Sequence, residues 1–226
     1  MKRLFHGAPM LVARTAGDAV ELAARAVADL ASKDELGSIV VSGGASAPVV
    51  LRSLADLWTS PSIPTVILSD ERWSDDPAFS NRLQIERILV GSRFAGASIV
   101  APIFSDDPAE AAQRWAADLR ECPSPHVAVL GMGDDGHVAS LFPGAETDGV
   151  TEQVLICWNS PKPPPIRLSV SLNFLRSIPS RFVVTAGAAK REAIRLVGDG
   201  VMLPVAQLTP TTWFVDREAE PSSHAI

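Results

Sequence analysis

The chain contains only two cysteines, Cys122 and Cys157. They are too few and too far apart for a zinc site, and free buried thiols in a reducing cytosol suit them better than a disulfide. A basic excess is also missing: 20 Lys and Arg stand against 26 Asp and Glu, a formal net charge of -6. That balance argues against a general nucleic-acid binder, whose footprint is a surplus of cations. An acidic chain still binds an anion where a few cations converge, so individual Lys and Arg positions matter more than their total. No uninterrupted apolar stretch is long enough to cross a bilayer. The first residues, MKRLFHGAPMLVARTAGDAV, reach an acid by Asp18 and do not read as a signal peptide. The expectation is a cytoplasmic protein with neither a membrane nor a nucleic-acid partner. There is no internal repeat and no linker, since proline and glycine are scattered at turns. One α/β domain over residues 1–226 is expected, with the tail EAEPSSHAI (218–226) frayed.

Short β-branched runs alternate with helical patterns. The expected strands are 38–41, 65–68, 127–130, 154–157, 166–170, 182–185 and 212–215, and the expected helices lie near 16–32, 48–58, 80–90, 107–121 and 188–197. The fourth helix has a clear start: Asp107 as cap, Pro108 in the first position and Glu110 completing a variant capping box. Such alternation implies an α/β fold with a mostly parallel sheet covered on both faces. Ligands of these sheets bind at the carboxyl ends of the strands, and the unusual residues of this sequence fall there.

Five segments carry chemistry. In SIVVSGGASAPVVLRSLADLW (38–58) a strand runs into Gly43, Gly44 and Ser46 before a helix near Pro48. Two glycines and a helix start offer unpaired N–H groups to an anion, and Ser46 adds a hydroxyl. In TVILSDERW (65–73) a buried strand delivers Asp70, Glu71 and Arg72, a position that favours a solvated pocket over a surface turn with an internal ion pair. HVAVLGMGDDGHVASLFPG (126–144) formally matches a dinucleotide loop, but Asp134 and Asp135 would repel a pyrophosphate. It is better read as a glycine-shaped loop displaying Asp135 beside His137, the usual pairing for a general base. His6, His126 and His224 look terminal or strand-edge by comparison. In SPKPPPIRLSVSL (160–172) four prolines hold the chain extended and so fix Lys162 and Arg167 with little entropy left to lose. In FVVTAGAAKREAIRLV (182–197) Lys190 opens a helix, where a cation is unfavourable unless an anion sits between it and the helix end; Arg191 is expected in solvent.

Together these stretches resemble the 6-phosphogluconolactonase family, within the wider group that includes glucosamine-6-phosphate deaminases. The matching pieces are SGGASAP, SDERW with SN at 80–81, LGMGDDGHVASLFPG, SPKPPPIRLSVSL, TAGAAK and LPVAQLTPTTWFVD, in family order from about 38 to 216. The family's glycine loop reads like SGGSTP. Here Ala45 and Ala47 replace its hydroxyl residue and proline, Ser46 stands at the Thr position, and Pro48 comes one residue later.

The resemblance implies a three-layer Rossmann-like sandwich of the sugar-phosphate isomerase/lactonase type, no cofactor and no metal. It implies hydrolysis of 6-phospho-D-glucono-1,5-lactone. The expected partner is this small molecule alone, with the chain a monomer or weak homodimer. His137 would activate water, Asp135 would orient it, and Arg72 would meet the developing oxyanion. Gly43, Gly44, Ser46, Lys162, Arg167 and Lys190 would hold the phosphate. Asp70 would either bind sugar hydroxyls or support Arg72. A deaminase using Asp70 as a carbon-acid base, and a non-catalytic sugar-phosphate binder, are the alternatives.

Overall fold

The computed structural model describes residues 2–5, 7–33, 36–105, 107–144 and 152–221. It begins with strands β1 (Lys2–Phe5) and β2 (Ala8–Ala13), paired antiparallel. Helix α1 (Ala16–Ala31) follows, started by a reciprocal capping box: Asp18 N–H donates to the Thr15 hydroxyl at 3.2 Å, and Thr15 N–H donates to the Asp18 carboxylate at 3.1 Å. Next come β3 (Ser38–Val41), α2 (Ala47–Leu57), β4 (Thr65–Leu68), β5 (Asp70–Arg72), α3 (Asn81–Leu89), β6 (Ile99–Val100), α4 (Pro108–Glu121) and β7 (Val127–Leu130). The remainder is β8 (Val154–Cys157), β9 (Arg167–Val170), α5 (Leu172–Ser177), β10 (Ser180–Thr185), a 3-10 turn at Ala188–Lys190, α6 (Arg191–Gly198) and β11 (Thr212–Asp216).

Eight strands form one sheet in the order β1-β2-β11-β10-β7-β3-β4-β6, parallel except for the β1–β2 pair. Side-chain alternation divides the core. Ile39 and Val41 of β3 pack on one face with Val27 of α1, Leu51 of α2 and Ile85 of α3. Val40 of the same strand packs on the other face with Trp115 of α4, Leu175 of α5 and Ile194 of α6. Successive strand residues point to opposite faces, so the apolar run SIVV is what a strand buried on both sides requires. Full burial of each such side chain contributes roughly 1.5–3 kcal/mol. The result is the expected three-layer α/β sandwich.

Several details differ from the sequence expectations. Strands 154–157 and 166–170 are real, the second from Arg167, but they lie outside the parallel sheet. With β5 they form a small antiparallel sheet, β5-β9-β8. Strand β5 is missed because Asp-Glu-Arg reads as a turn, β6 because two residues carry no period, and α5 because six residues hold under two turns. Asp107 does cap α4, accepting from Ala109 N–H at 2.8 Å, but Glu110 forms no capping box and pairs with Arg114 at 3.5 Å. The tail is not frayed from 218: Ala219 is fully buried, its N–H donates to Asp216 at 2.9 Å, and Arg191 donates to the Glu218 carbonyl at 2.7 Å. Residues 222–226, like His6 and His224, lie outside the described residues. Cys122 and Cys157 are free thiols, half-buried rather than buried. Among the described residues no helix is long and apolar enough to cross a membrane.

Candidate active site at the carboxyl ends of the strands

From β3 the chain builds the sheet outward through β4 and β6; from β7 it builds the opposite way through β10 and β11. The direction reverses between β3 and β7, the place where ligand crevices open in such sheets. A cavity of about 270 Å³ lies there. Gly43, Gly44, Ser46, Asp70, Arg72, His137, Lys162, Arg167 and Lys190 all line it. Asp135, the remaining expected residue, stands behind His137. Among the described residues no cluster of three or more His, Cys, Asp or Glu side chains could hold a metal ion.

The loop after β7 shapes the candidate base, His137. His137 Nδ1 lies 2.5 Å from Asp135 Oδ1, which also accepts the His137 backbone N–H at 3.1 Å. Burial alone would push the Asp135 carboxyl up, but the His137 N–H and the imidazole beside it hold it below its ordinary value. Asp135 is therefore a carboxylate that can only accept, so Nδ1 carries the hydrogen and Nε2 is left as the acceptor. Burial of the ring lowers the His137 pKa below 6.5, and this outweighs the opposing effect of Asp135. The imidazole is thus neutral at neutral pH, as a base must be. Glycine is obligatory at 133: a Cβ there would lie 2.0 Å from His137 Nδ1 and 2.5 Å from Asp135 Oδ1.

On the cationic side, Lys162 forms an ion pair with Asp134 at the rim. Lys190 closes the 3-10 turn and caps α6. Burial lowers its pKa and Asp134 opposes the shift. Arg167 behaves differently from expectation. It is only 5% exposed, and its guanidinium donates to the Pro163 carbonyl at 2.9 Å and the Lys162 carbonyl at 3.1 Å. The prolines do not fix Arg167; Arg167 fixes the proline loop. Phe142 packs between it and the base, with its ring 4.7 Å from the imidazole and 5.8 Å from the Arg167 guanidinium carbon.

The Asp70-Glu71-Arg72 run separates into three roles. Asp70 does not support Arg72 through its carboxylate, which accepts from the Ser140 hydroxyl at 2.7 Å and the Ser69 hydroxyl at 3.0 Å. Glu71 turns away from the cavity and accepts backbone N–H groups of Arg72, Asn81 and Arg82 at 2.7–2.8 Å. Arg72 donates through Nη1 to the Phe79 carbonyl at 3.0 Å, while its buried Nε has no partner among the described residues.

Sequence reasoning missed four contributors. Ser42 joins the two glycine loops, donating to the Gly43 carbonyl at 3.2 Å and accepting from Gly131 N–H at 2.7 Å. Asn81 donates to the Asp70 carbonyl at 2.9 Å and packs under Gly43, where a Cβ would fall 1.9 Å from its Oδ1. Thr185 lines the cavity with a buried hydroxyl that has no partner among the described residues. Gln84 binds Gly44, so the Gly44 N–H, expected to face an anion, is already engaged at 3.1 Å. Asn81 and Thr185 lie in stretches already singled out, SN at 80–81 and TAGAAK, but Gln84 has no local signal.

Residues 10–216 match the family described as glucosamine-6-phosphate isomerases/6-phosphogluconolactonase. The chain belongs to that family. Among its members, the 6-phosphogluconolactonase of Mycobacterium leprae is 30% identical over 208 residues, which cover 82% of this chain and 84% of the relative. The probable 6-phosphogluconolactonase 2 of Oryza sativa subsp. indica is 34% identical over 122 residues, 48% of this chain. That alignment spans 44% of the rice protein, less than half the length of this curated relative. The crystal structure of the family member from Thermotoga maritima, a 6-phosphogluconolactonase, superimposes with a TM-score of 0.80 at 24% identity, covering 92% of this chain and 98% of that one. The likeness establishes the family's fold.

Proposed function

We propose that this chain hydrolyses 6-phospho-D-glucono-1,5-lactone to 6-phospho-D-gluconate, acting in the cytoplasm as a monomer or weak homodimer. One observation carries the reading: a neutral, carboxylate-oriented imidazole shares a cavity with two lysines and a glycine loop. Family membership and the named relatives support the same reaction.

The 6-phosphate sits among Lys190, Lys162, Ser46 and the free N–H groups of the glycine loop, and this remote grip positions the lactone ring. His137 Nε2 takes a proton from water as the water oxygen bonds to the lactone carbon. Asp135 stabilises the resulting imidazolium. Arg72 and loop N–H groups meet the charge that grows on the carbonyl oxygen. The bond from the carbonyl carbon to the ring oxygen then breaks, and His137 returns the proton to the ring oxygen. Asp70, with two serine hydroxyls already bound, orients sugar hydroxyls.

The test generates lactone in situ with glucose-6-phosphate dehydrogenase and follows 6-phosphogluconate through its own dehydrogenase. Acceleration over the spontaneous rate by wild type, and not by His137→Ala, is expected. Ammonia release from glucosamine 6-phosphate with no lactone turnover would instead favour the deaminase alternative.

A further inference from the structure

Helix α3 supplies none of the cations or acids of the site, yet it grips the glycine loop at its centre. Gln84 Oε1 accepts the Gly44 N–H at 3.1 Å, and Gln84 Nε2 donates to the Gly44 carbonyl at 2.8 Å. One side-chain amide thus pairs with both polar groups of one backbone residue across 40 positions of chain. Gly44 has a φ of 95°, a conformation that glycine reaches freely and other residues rarely adopt. Gln84 itself does not line the cavity.

We propose that Gln84 is a positioning residue for the phosphoryl group, acting through the Gly44 peptide to set the glycine loop. The inference rests on the reading of this cavity as a site for a phosphorylated substrate. Five residues, Ser42 to Ser46, separate β3 from α2. Ser42 anchors the first of them to Gly131, and Ser46 makes no capping bond with its side chain. Between those points Gln84 supplies the polar side-chain restraint. With Gly44 turned to Gln84, the N–H groups of Gly43, Ala45 and Ser46 have no partner among the described residues. All three residues line the cavity. The loop also lacks the family's hydroxyl side chain at Ala45, and the family's proline is missing from the first helical residue, Ala47, so the loop cannot fix itself through them. A loop ordered before binding loses less entropy when the anion arrives, so the restraint favours binding of the phosphoryl group rather than the chemical step.

The experiment compares wild type, Gln84→Ala and Gln84→Glu. The glutamate keeps an acceptor for the Gly44 N–H but sets an oxygen against the Gly44 carbonyl. Inorganic phosphate binding is measured by calorimetry, and kcat and KM are measured on the lactone with and without its phosphate. Gln84→Ala is expected to weaken phosphate binding and raise KM for the phosphorylated lactone roughly tenfold, the size of two lost hydrogen bonds. Its kcat should stay within about twofold, with the KM penalty confined to the phosphorylated substrate, and Gln84→Glu should shift the same quantities in the same direction. Unchanged phosphate binding in either folded variant overturns the proposal, as does an equal loss on both lactones. Failure of wild type to bind phosphate overturns it too. Phosphate binding without lactone turnover would sink the functional reading alone, because the calorimetric comparison still decides the role of Gln84.

Discussion

Two glycine-rich loops meet across the cavity, and they are ordered in opposite ways. The loop after β7 is held mostly from within: Gly133 N–H donates to the His137 carbonyl at 2.9 Å, Gly136 N–H donates to the Gly133 carbonyl at 3.2 Å, and the Asp135 carboxylate accepts from His137, while Val205 N–H adds one outside bond to the Gly136 carbonyl at 3.1 Å. The loop after β3 is held from outside, by Ser42 with Gly131 and by Gln84 and Asn81 from α3. A loop that orders itself places a base in register with its own carboxylate. A loop ordered by a neighbouring helix can be tuned for ligand grip without disturbing that base. Damage to the first should therefore appear in kcat, and damage to the second in KM.

The largest test is His137→Gln, expected to lower kcat by on the order of 10²–10⁴ with little change in KM, the usual size of an acid–base contribution. Comparable turnover in a folded variant would remove His137 from the chemistry. A paired glycine experiment is sharper. Gly133→Ala forces a methyl into contact with the dyad and should cost on the order of 10² in kcat through misplacement of the ring. In Gly44→Ala the new methyl meets nothing within 4 Å. Its cost is backbone strain of about 1–2 kcal/mol, read as a lowered Tm and a raised KM with kcat nearly intact. Equal effects on kcat would end the contrast between the loops.

Lys190→Ala should raise KM roughly tenfold or more through loss of a charge-assisted contact to phosphate, and an unchanged KM would place Lys190 outside the grip. The pH profile follows from the burial of His137. Its pKa lies below 6.5 in the folded protein, so kcat/KM should stay level through neutral pH and fall only as pH drops past that lowered value. Asp135 raises the His137 pKa, so Asp135→Asn should carry the acid limb to lower pH. An acid limb above 6.5 would contradict the burial argument. The smallest effect is Asp134→Asn. It releases Lys162 from a rim ion pair, and since such exposed pairs are weak, KM should fall by about twofold at most.

The same division explains what the sequence disclosed. All seven expected strands begin or end within two residues of an observed strand boundary, and SIVV, TVIL and VAVL show why: runs buried on both faces need no period to be recognised. The pairing of His137 with Asp135 was legible because Gly133, Asp135 and His137 sit within five residues and act on one another. Gln84 was not, since its partner lies 40 residues away and its own surroundings are those of an ordinary amphipathic helix. Arg167 was visible as a cation near prolines, but which of the two restrained the other depends on backbone carbonyls that no sequence pattern records. Strand β5 was hidden by its charges, because Glu71 is buried by backbone donors rather than by apolar neighbours.

That arrangement of Glu71 has a consequence for motion. The first amides of a helix usually exchange quickly with solvent deuterium, because end fraying costs little. Here the amides of Asn81 and Arg82 are tied to a carboxylate rooted in β5. They should exchange as slowly as the sheet interior, and they should open together with the strand that carries Asp70 and Arg72. The start of α3 is then a sensor of the floor of the cavity: its deuterium uptake reports whether β5 has moved.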